Sequence, residues 1–325
     1  MRAVEIGYPG SEGVLALCER PLPAIRDDEV LIRVAAAGLN RGDIFQRLGR
    51  YPPPPGASDL PGLEVSGTVV AVGKHVLTWR AGDAVCALLA GGGYAEYCAA
   101  PASHCLPVPR GVTLVEAAAL PEAFCTVWGA VWKEGRLAPG ESLLIHGGAS
   151  GIGVAAIQMA SALGHPVHVT AGNEEKCAAC LAMGATSAIH YGREDFVTSV
   201  RAATGGRGVD VVLDMVGGDY VPRDLECMAD YGRLVFISAL GGEAGQFNIR
   251  TVMRRRLTMT GSTLRSRPAQ YKSNLVRELI DEVWPHIEAG RIRPVIDRRF
   301  PLDAAAQAHS WMEAGRHVGK ILLTI

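Results

Sequence analysis

The stretch IHGGASGIG, Ile145 to Gly153, constrains this chain more than any other, because a short apolar run gives way there to a helical pattern. A glycine turn between strand and helix offers free backbone N–H groups and the positive end of a helix dipole, the two things a diphosphate needs. Gly148, Ser150 and Gly153 follow the dinucleotide spacing with serine for the middle glycine, and Gly151 and Ile152 complete the turn. The same letters approach the G-x-S-x-G elbow of a serine hydrolase, preceded by His146-Gly147-Gly148. Ile152, however, stands where the elbow requires glycine, and a β-branched residue resists that strained turn. Asp214 follows a strand, but His309 and His317 fall in a tail helix and its exit. The loop therefore reads as a phosphate cradle.

From Ser142 onward, β-branched runs alternate with helical patterns: SLLIHGG, PVHVTAG, SAIHY, VDVVLDMVG and RLVFISAL, with helices between them. That rhythm predicts a parallel sheet with right-handed crossovers, a doubly wound α/β domain over residues 122–266. Residues 1–121 instead carry short strands separated by Gly and Pro turns, a barrel-like pattern. The tail, 267–325, is expected to complete that first domain, through one long helix over 274–290 and a final strand GKILLTI.

At 325 residues the chain is long enough for two domains of about 100 to 200 residues each. A formal charge of -1 supplies no electrostatic reason for a nucleic-acid or membrane partner. MRAVEIGYPG lacks the apolar core of a signal peptide, and no apolar run reaches the roughly 20 residues that span a bilayer. Eight scattered cysteines suggest reduced, buried thiols and a cytoplasmic setting. Cys177 and Cys180 have redox spacing but share one face of an apparent helix, which favours packing.

The choice of dinucleotide is read at the end of the second strand. An NAD site places a carboxylate there, about 20 residues after the glycine turn, to accept from the ribose 2'-OH. Here the corner is Ala171-Gly172-Asn173, with Lys176 one helical turn on and Tyr191 closing the third strand, so the expected cofactor is NADPH. A bland alternative makes Asn173 a helix cap and Lys176 a solvated lysine.

Many short stretches then share one resemblance: GLNRGD (38–43), YPPPPGAS (51–58), PGLEVSG (61–67), LLAGGGYAEY (88–97), LPEAFCT (120–126), IHGGASGIGVAAIQMA, GRLVFISALGG and EAGRHVGKILL. The chain resembles, end to end, the ζ-crystallin-like quinone oxidoreductases of the medium-chain dehydrogenase/reductase superfamily, their tumour-suppressor-inducible branch above all. The resemblance implies a GroES-like β-barrel domain built from both chain ends, a Rossmann domain, an active cleft between them and a homodimer paired through the last sheet strand, near Leu257 to Ser262. It also implies a quinone as the small-molecule substrate.

Zinc members of the superfamily take catalytic ligands from positions that here hold Leu39-Asn40 and Leu63, which cannot replace a thiolate and an imidazole. No metal is expected. A quinone accepts hydride into its own conjugated system, so positioning and a few donors suffice. Asn40 is the candidate donor to a carbonyl or ribose, Asp43 its orienting partner, and Tyr51 a stacking group with a hydroxyl to donate. The resemblance places Thr126 beside the nicotinamide, and the exit of the fifth strand, Ser238, Ala239 and Leu240, should line its pocket. Arg265 is expected to reach the cleft, and Arg316 and His317 to approach a phosphate. Two alternatives are carried forward: an NADPH-dependent enone or enoyl-thioester reductase, which needs a proton donor and for which Tyr51 is the nominee, and an RNA-binding or structural crystallin-like role suggested by Arg254-Arg255-Arg256.

Overall fold

The computed structural model describes residues 1–7 and 14–325; Tyr8 to Gly10 of the N-terminal stretch read above lie outside the described residues. The chain divides into two compact units, Met1–Cys125 with Arg265–Ile325, and Thr126–Leu264.

The first unit opens with an antiparallel pair, β1 (Arg2–Ile6) and β2 (Leu15–Glu19). Its spine is β3 (Glu29–Gly38), where Val30, Ile32 and Val34 alternate inward as period-two patterning requires. After the short helix α1 (Arg41–Arg47) comes β4 (Glu64–Val72), antiparallel to β3 with two register shifts that bend the sheet. β5 (Ala84–Leu88) pairs with β4, β6 (Tyr97–Pro101) with β3, and β7 (Cys105–Pro107) with β5. Helix α2 (Pro121–Val127) then leads into a π-helical segment, Trp128–Glu134.

The second unit holds six parallel strands: β8 (Leu143–Ile145), β9 (Val167–Ala171), β10 (Ser187–His190), β11 (Val209–Asp214), β12 (Met228–Phe236) and β13 (Thr258–Gly261). Between them run α3 (Gly151–Ala162), α4 (Glu174–Ala182), α5 (Phe196–Ala203), α6 (Tyr220–Cys227) and α7 (Ile249–Arg255). The order β10-β9-β8-β11-β12-β13 reverses direction beside β8, the switch point at which such sheets hold ligands. β9 and β11 are buried along their whole length, as expected of strands covered on both faces.

The tail then rejoins the first unit. The helix expected as one piece over 274–290 is two, α8 (Ala269–Glu282) and α9 (Trp284–Glu288). Pro285 explains the break, since it lacks an N–H and its ring clashes with the carbonyl four residues back. β14 (Ile296–Pro301), α10 (Ala305–Glu313) and β15 (Lys320–Thr324) follow, and β15 lies antiparallel to β3. No helix among the described residues is long and apolar enough to cross a membrane.

Within the core of the first unit the Tyr94 hydroxyl lies 3.1 Å from His309 Nε2, with both side chains fully buried. Burial, and then the charges of Arg47 and Arg41, hold His309 down at about 3 from an ordinary 6.5. A depressed imidazole contributes stability above its unfolded value, and that stability drains away as pH falls from 6.5 towards 3. Urea unfolding should therefore show a loss of about 2 kcal/mol between pH 7 and pH 5 that His309→Gln abolishes. An unchanged pH slope in the variant would remove His309 from this account.

Candidate functional site

The glycine loop leaves the C-terminal end of β8, beside the switch point. Ser150 is the N-cap of α3, its Oγ accepting from Gly153 N at 3.0 Å. A Cβ on Gly153 would lie 2.4 Å from the carbonyl oxygens of Gly147 and Gly148, so only glycine lets the helix start this close to the loop. The N–H groups of Gly151 and Ile152 open the helix and have no carbonyl four residues back to bind, which leaves them for an anion. The loop thus fits a dinucleotide diphosphate. It does not fit the hydrolase reading: the Ser150 hydroxyl faces Gly153 N–H and, at 3.8 Å, Met215 Sδ, whereas His146 turns inward to Asp224.

At the end of β9, Asn173 caps α4, its side chain accepting from Lys176 N at 2.8 Å. The bland reading of Asn173 is thus its observed contact, and Glu174 and Glu175 occupy the helix's first turn. Lys176 is half-buried. Tyr191 is exposed, and its hydroxyl would come within 2.8 Å of a Cβ on Gly172. Gly172, Asn173, Lys176 and Tyr191 therefore share one corner, one strand away from the glycine loop. At the end of β12, Ser238 is half-buried, and Ala239 and Leu240 are exposed; Leu240 N donates to Met215 O at 3.1 Å. Thr126 is half-buried in α2.

In the first unit the expected residues meet groups that the sequence did not single out. Glu64 is fully buried, and its carboxylate receives Lys320 Nζ at 2.6 Å, Asn40 Nδ2 at 2.9 Å and Glu122 N at 2.8 Å. Lys320 Nζ also donates to Leu39 O at 2.7 Å and to Asn40 Oδ1 at 2.6 Å. The second amide hydrogen of Asn40 points to Gly38 O at 3.3 Å. Asn40, expected to donate to a carbonyl, has both amide hydrogens engaged within this network. Asp43 accepts from Asn40 N at 2.8 Å and Gly62 N at 2.9 Å, and burial pushes its carboxyl up to about 6.

Tyr51 is half-buried, and its phenol is pushed up to about 12 by burial and then by the charge of Glu122. Arg265, expected to reach a ligand, is instead buried and fully committed: it donates to Ala90 O at 2.8 Å, Tyr51 O at 2.9 Å and Gln46 Oε1 at 2.7 Å, and lies 5.1 Å from the Tyr51 ring centroid. Its role here is to hold Tyr51. Near the C-terminus His317 is buried and Arg316 exposed, so the two adjacent residues do not share one surface.

Of the residues read at the expected zinc-ligand positions, Leu39 and Leu63 are buried and Asn40 is half-buried. No group of three or more His, Cys, Asp or Glu side chains that could hold a metal occurs among the described residues. The Arg254–Arg256 run is not a uniform basic stripe: Arg255 turns inward to Leu225 O at 2.6 Å and to Asp230, while Arg256 stacks over Tyr231.

A six-stranded parallel sheet with a dinucleotide loop, joined to a unit of this β-rich kind, defines a medium-chain dehydrogenase/reductase. The chain matches the alcohol dehydrogenase GroES-like domain over residues 26–110 and the zinc-binding dehydrogenase family over residues 151–282. It is 30% identical to the quinone oxidoreductase of Rattus norvegicus, an alignment covering 100% of this chain and 98% of that protein. Among solved structures, Escherichia coli quinone oxidoreductase complexed with NADPH aligns with a TM-score of 0.89, 30% identity and 100% of each chain. CurK enoyl reductase aligns with a TM-score of 0.84 and 27% identity, over 99% of this chain and 98% of that one. The chain belongs to the quinone oxidoreductase-like family of the medium-chain dehydrogenase/reductases.

Two outcomes follow from this geometry. Gly153→Ala should abolish dinucleotide binding in a fluorescence titration while circular dichroism stays native; retained affinity would remove the loop from the site. Lys320→Met leaves a buried carboxylate without its cation and should cost roughly 3 to 5 kcal/mol of stability. Adding Glu64→Gln should return most of it, as measured by denaturant midpoints.

Proposed function

We propose that this chain is an NADPH-dependent quinone reductase working without a metal, closest in kind to the tumour-suppressor-inducible quinone oxidoreductases and acting as a cytoplasmic homodimer. The observation that carries the cofactor choice is the β9 corner: no carboxylate stands at Ala171-Gly172-Asn173, while the Tyr191 hydroxyl and Lys176 flank the space that a 2'-phosphate would take. The diphosphate would rest on the N–H groups of Gly151 and Ile152, with Gly148 and Ser150 shaping the turn. Ser238, Ala239, Leu240 and Thr126 would line the nicotinamide end, and Arg316 and His317 are retained as candidate phosphate contacts. When bound, the reduced nicotinamide supplies a hydride and its electron pair.

The protein's part is to position and to exclude water. Tyr51, held by Arg265, keeps its proton at neutral pH and can donate a hydrogen bond to the acceptor's developing oxyanion. Asn40 and Asp43 serve by fixing the turn that precedes it rather than by touching the acceptor. Leu39-Asn40 and Leu63 at the two ligand positions support metal-free chemistry, and eight unpaired thiols support a reducing compartment. The edge strand β13 offers unpaired backbone for a second copy. A second reading, an enone or enoyl-thioester reductase, is favoured by the likeness to CurK enoyl reductase and uses the same residues.

The test is a titration with NADPH and NADH, followed by turnover on 1,2-naphthoquinone, 1,4-benzoquinone and an α,β-unsaturated ketone. NADPH should bind more tightly, and Lys176→Ala should weaken it about tenfold, about 1.4 kcal/mol, with NADH unmoved. Chelators should leave quinone turnover unchanged. Faster turnover of the ketone would move the assignment to the second reading, and equal affinity for the two cofactors would remove the 2'-phosphate site.

A further inference from the structure

The second unit contains a chain of buried polar groups that ends on the glycine loop. Gly148 N donates to Thr170 O at 2.9 Å, and Gly147 N donates to the Thr170 hydroxyl at 3.4 Å. One residue of β9 thus engages two successive loop amides. Behind it, Thr170 Oγ1 lies 3.0 Å from His146 Nδ1, and His146 Nε2 lies 2.7 Å from Asp224 Oδ1 in α6. Thr170, His146 and Asp224 are fully buried, so no solvent competes for these bonds. The main-chain N–H of His146 donates to Leu213 O at 3.1 Å, and the rings of Phe196 and Tyr220 pack against its imidazole.

β9 reads Val-His-Val-Thr-Ala and is buried along its whole length, a setting in which valine would fill the place of Thr170 with nearly the same shape. Threonine differs by one hydroxyl, and that hydroxyl is what receives the Gly147 N–H. Gly147 has a φ of +70°, a region that glycine enters at no steric cost and leaves as readily, so its amide needs a partner to keep one direction. The next residue is fixed by contact as well, since a Cβ on Gly148 would lie 2.7 Å from Val169 Cβ. With the amides of Gly147 and Gly148 turned to β9, those left for an anion are Gly151 and Ile152, at the positive end of α3.

We propose that Thr170 is a positioning residue for the cofactor's diphosphate: its hydroxyl turns the Gly147 amide inward, and His146, anchored by Asp224, holds that hydroxyl in place. The inference rests on reading the glycine loop as a dinucleotide cradle and names the groups that set its shape. All three side chains act through the loop, so their effect falls on any ligand whose phosphates rest there. NADPH and NADH carry the same diphosphate and feel it equally. A ligand that occupies only the β9 corner does not feel it, which separates Thr170 from Lys176, a residue assigned to the 2'-phosphate alone.

Calorimetric affinities, with circular dichroism as the check on folding, test this. Thr170→Val should weaken NADPH and NADH by the same factor, about tenfold for the loss of one buried hydrogen bond. Adenosine 2'-phosphate, which has no diphosphate, should bind variant and wild type alike. Thr170→Ser keeps the hydroxyl and should recover most of the NADPH affinity. His146→Phe combined with Asp224→Asn removes the groups behind the hydroxyl without stranding a charge, and should reproduce the loss even where Thr170→Val does not fold. Adding Thr170→Val to that pair should weaken binding no further. Wild-type NADPH affinity in these variants, a parallel loss of adenosine 2'-phosphate, or no recovery in Thr170→Ser overturns the proposal while leaving the reductase reading intact. A wild-type protein that binds neither NADPH nor NADH overturns the functional reading, and the part played by Thr170 with it.

Discussion

A carboxylate without access to water, Glu64, sits where four chain segments of the first unit meet. Stripping a charge of solvent costs several kcal/mol, and only near-ideal geometry offsets it. Glu64 has that geometry, with an ammonium, an amide and a main-chain N–H all within 2.9 Å. The demand extends to its neighbours: a Cβ on Gly38 would lie 2.2 Å from Glu64 Oε1, so the end of β3 must be glycine. Because Lys320 begins β15, satisfying Glu64 requires the last strand of the chain to lie beside β3. The stretch Thr126–Leu264 is therefore an excursion that leaves and rejoins one unit whose two parts are joined by a buried ion pair.

In the second unit a related device sets the start of the phosphate loop. His146 Nε2 lies 2.7 Å from Asp224 and its Nδ1 lies 3.0 Å from Thr170 Oγ1, with His146 and Asp224 both fully buried. Phe196 and Tyr220 meet the imidazole edge-on, with centroids 4.9 and 4.8 Å away. Among the described residues the second oxygen of Asp224 has no hydrogen-bond partner, a desolvation cost of about 1 to 3 kcal/mol that a purely apolar core would avoid. In return, the residue before Gly147 is locked in position. The same histidine that made the sequence look like a hydrolase is thereby withdrawn from the serine, and the loop is left with its amides.

What the sequence made legible follows from the range of each interaction. The glycine loop, the parallel sheet and the Asn173 corner are written in contiguous letters, because strand, turn and helix each impose a local period. The split of α8 from α9 was also local, and the apolar spacing of 274–290 simply outweighed Pro285. The network around Asn40 was not legible in this way, since Lys320 is 280 residues away. Arg265 reaches partners 175 to 219 residues distant, so an arginine after the last sheet strand looked free when it was fully engaged. A signal did exist. Glu64 in LEVSGTVV, Lys320 in GKILLTI and Glu122 in LPEAF are lone charges at the edges of apolar runs, and buried charges of opposite sign must find each other.

That pairing also sets what Lys320 can do for the turn before α1. Lys320 reaches the turn before α1, and its three donors go to Glu64, Leu39 O and Asn40 Oδ1. Leu39, whose carbonyl oxygen Lys320 holds, and Leu63 are both buried, while Arg41 at the start of α1 is half-buried. The lysine's part is therefore structural: it fixes the turn before α1 and ties the end of the chain to it.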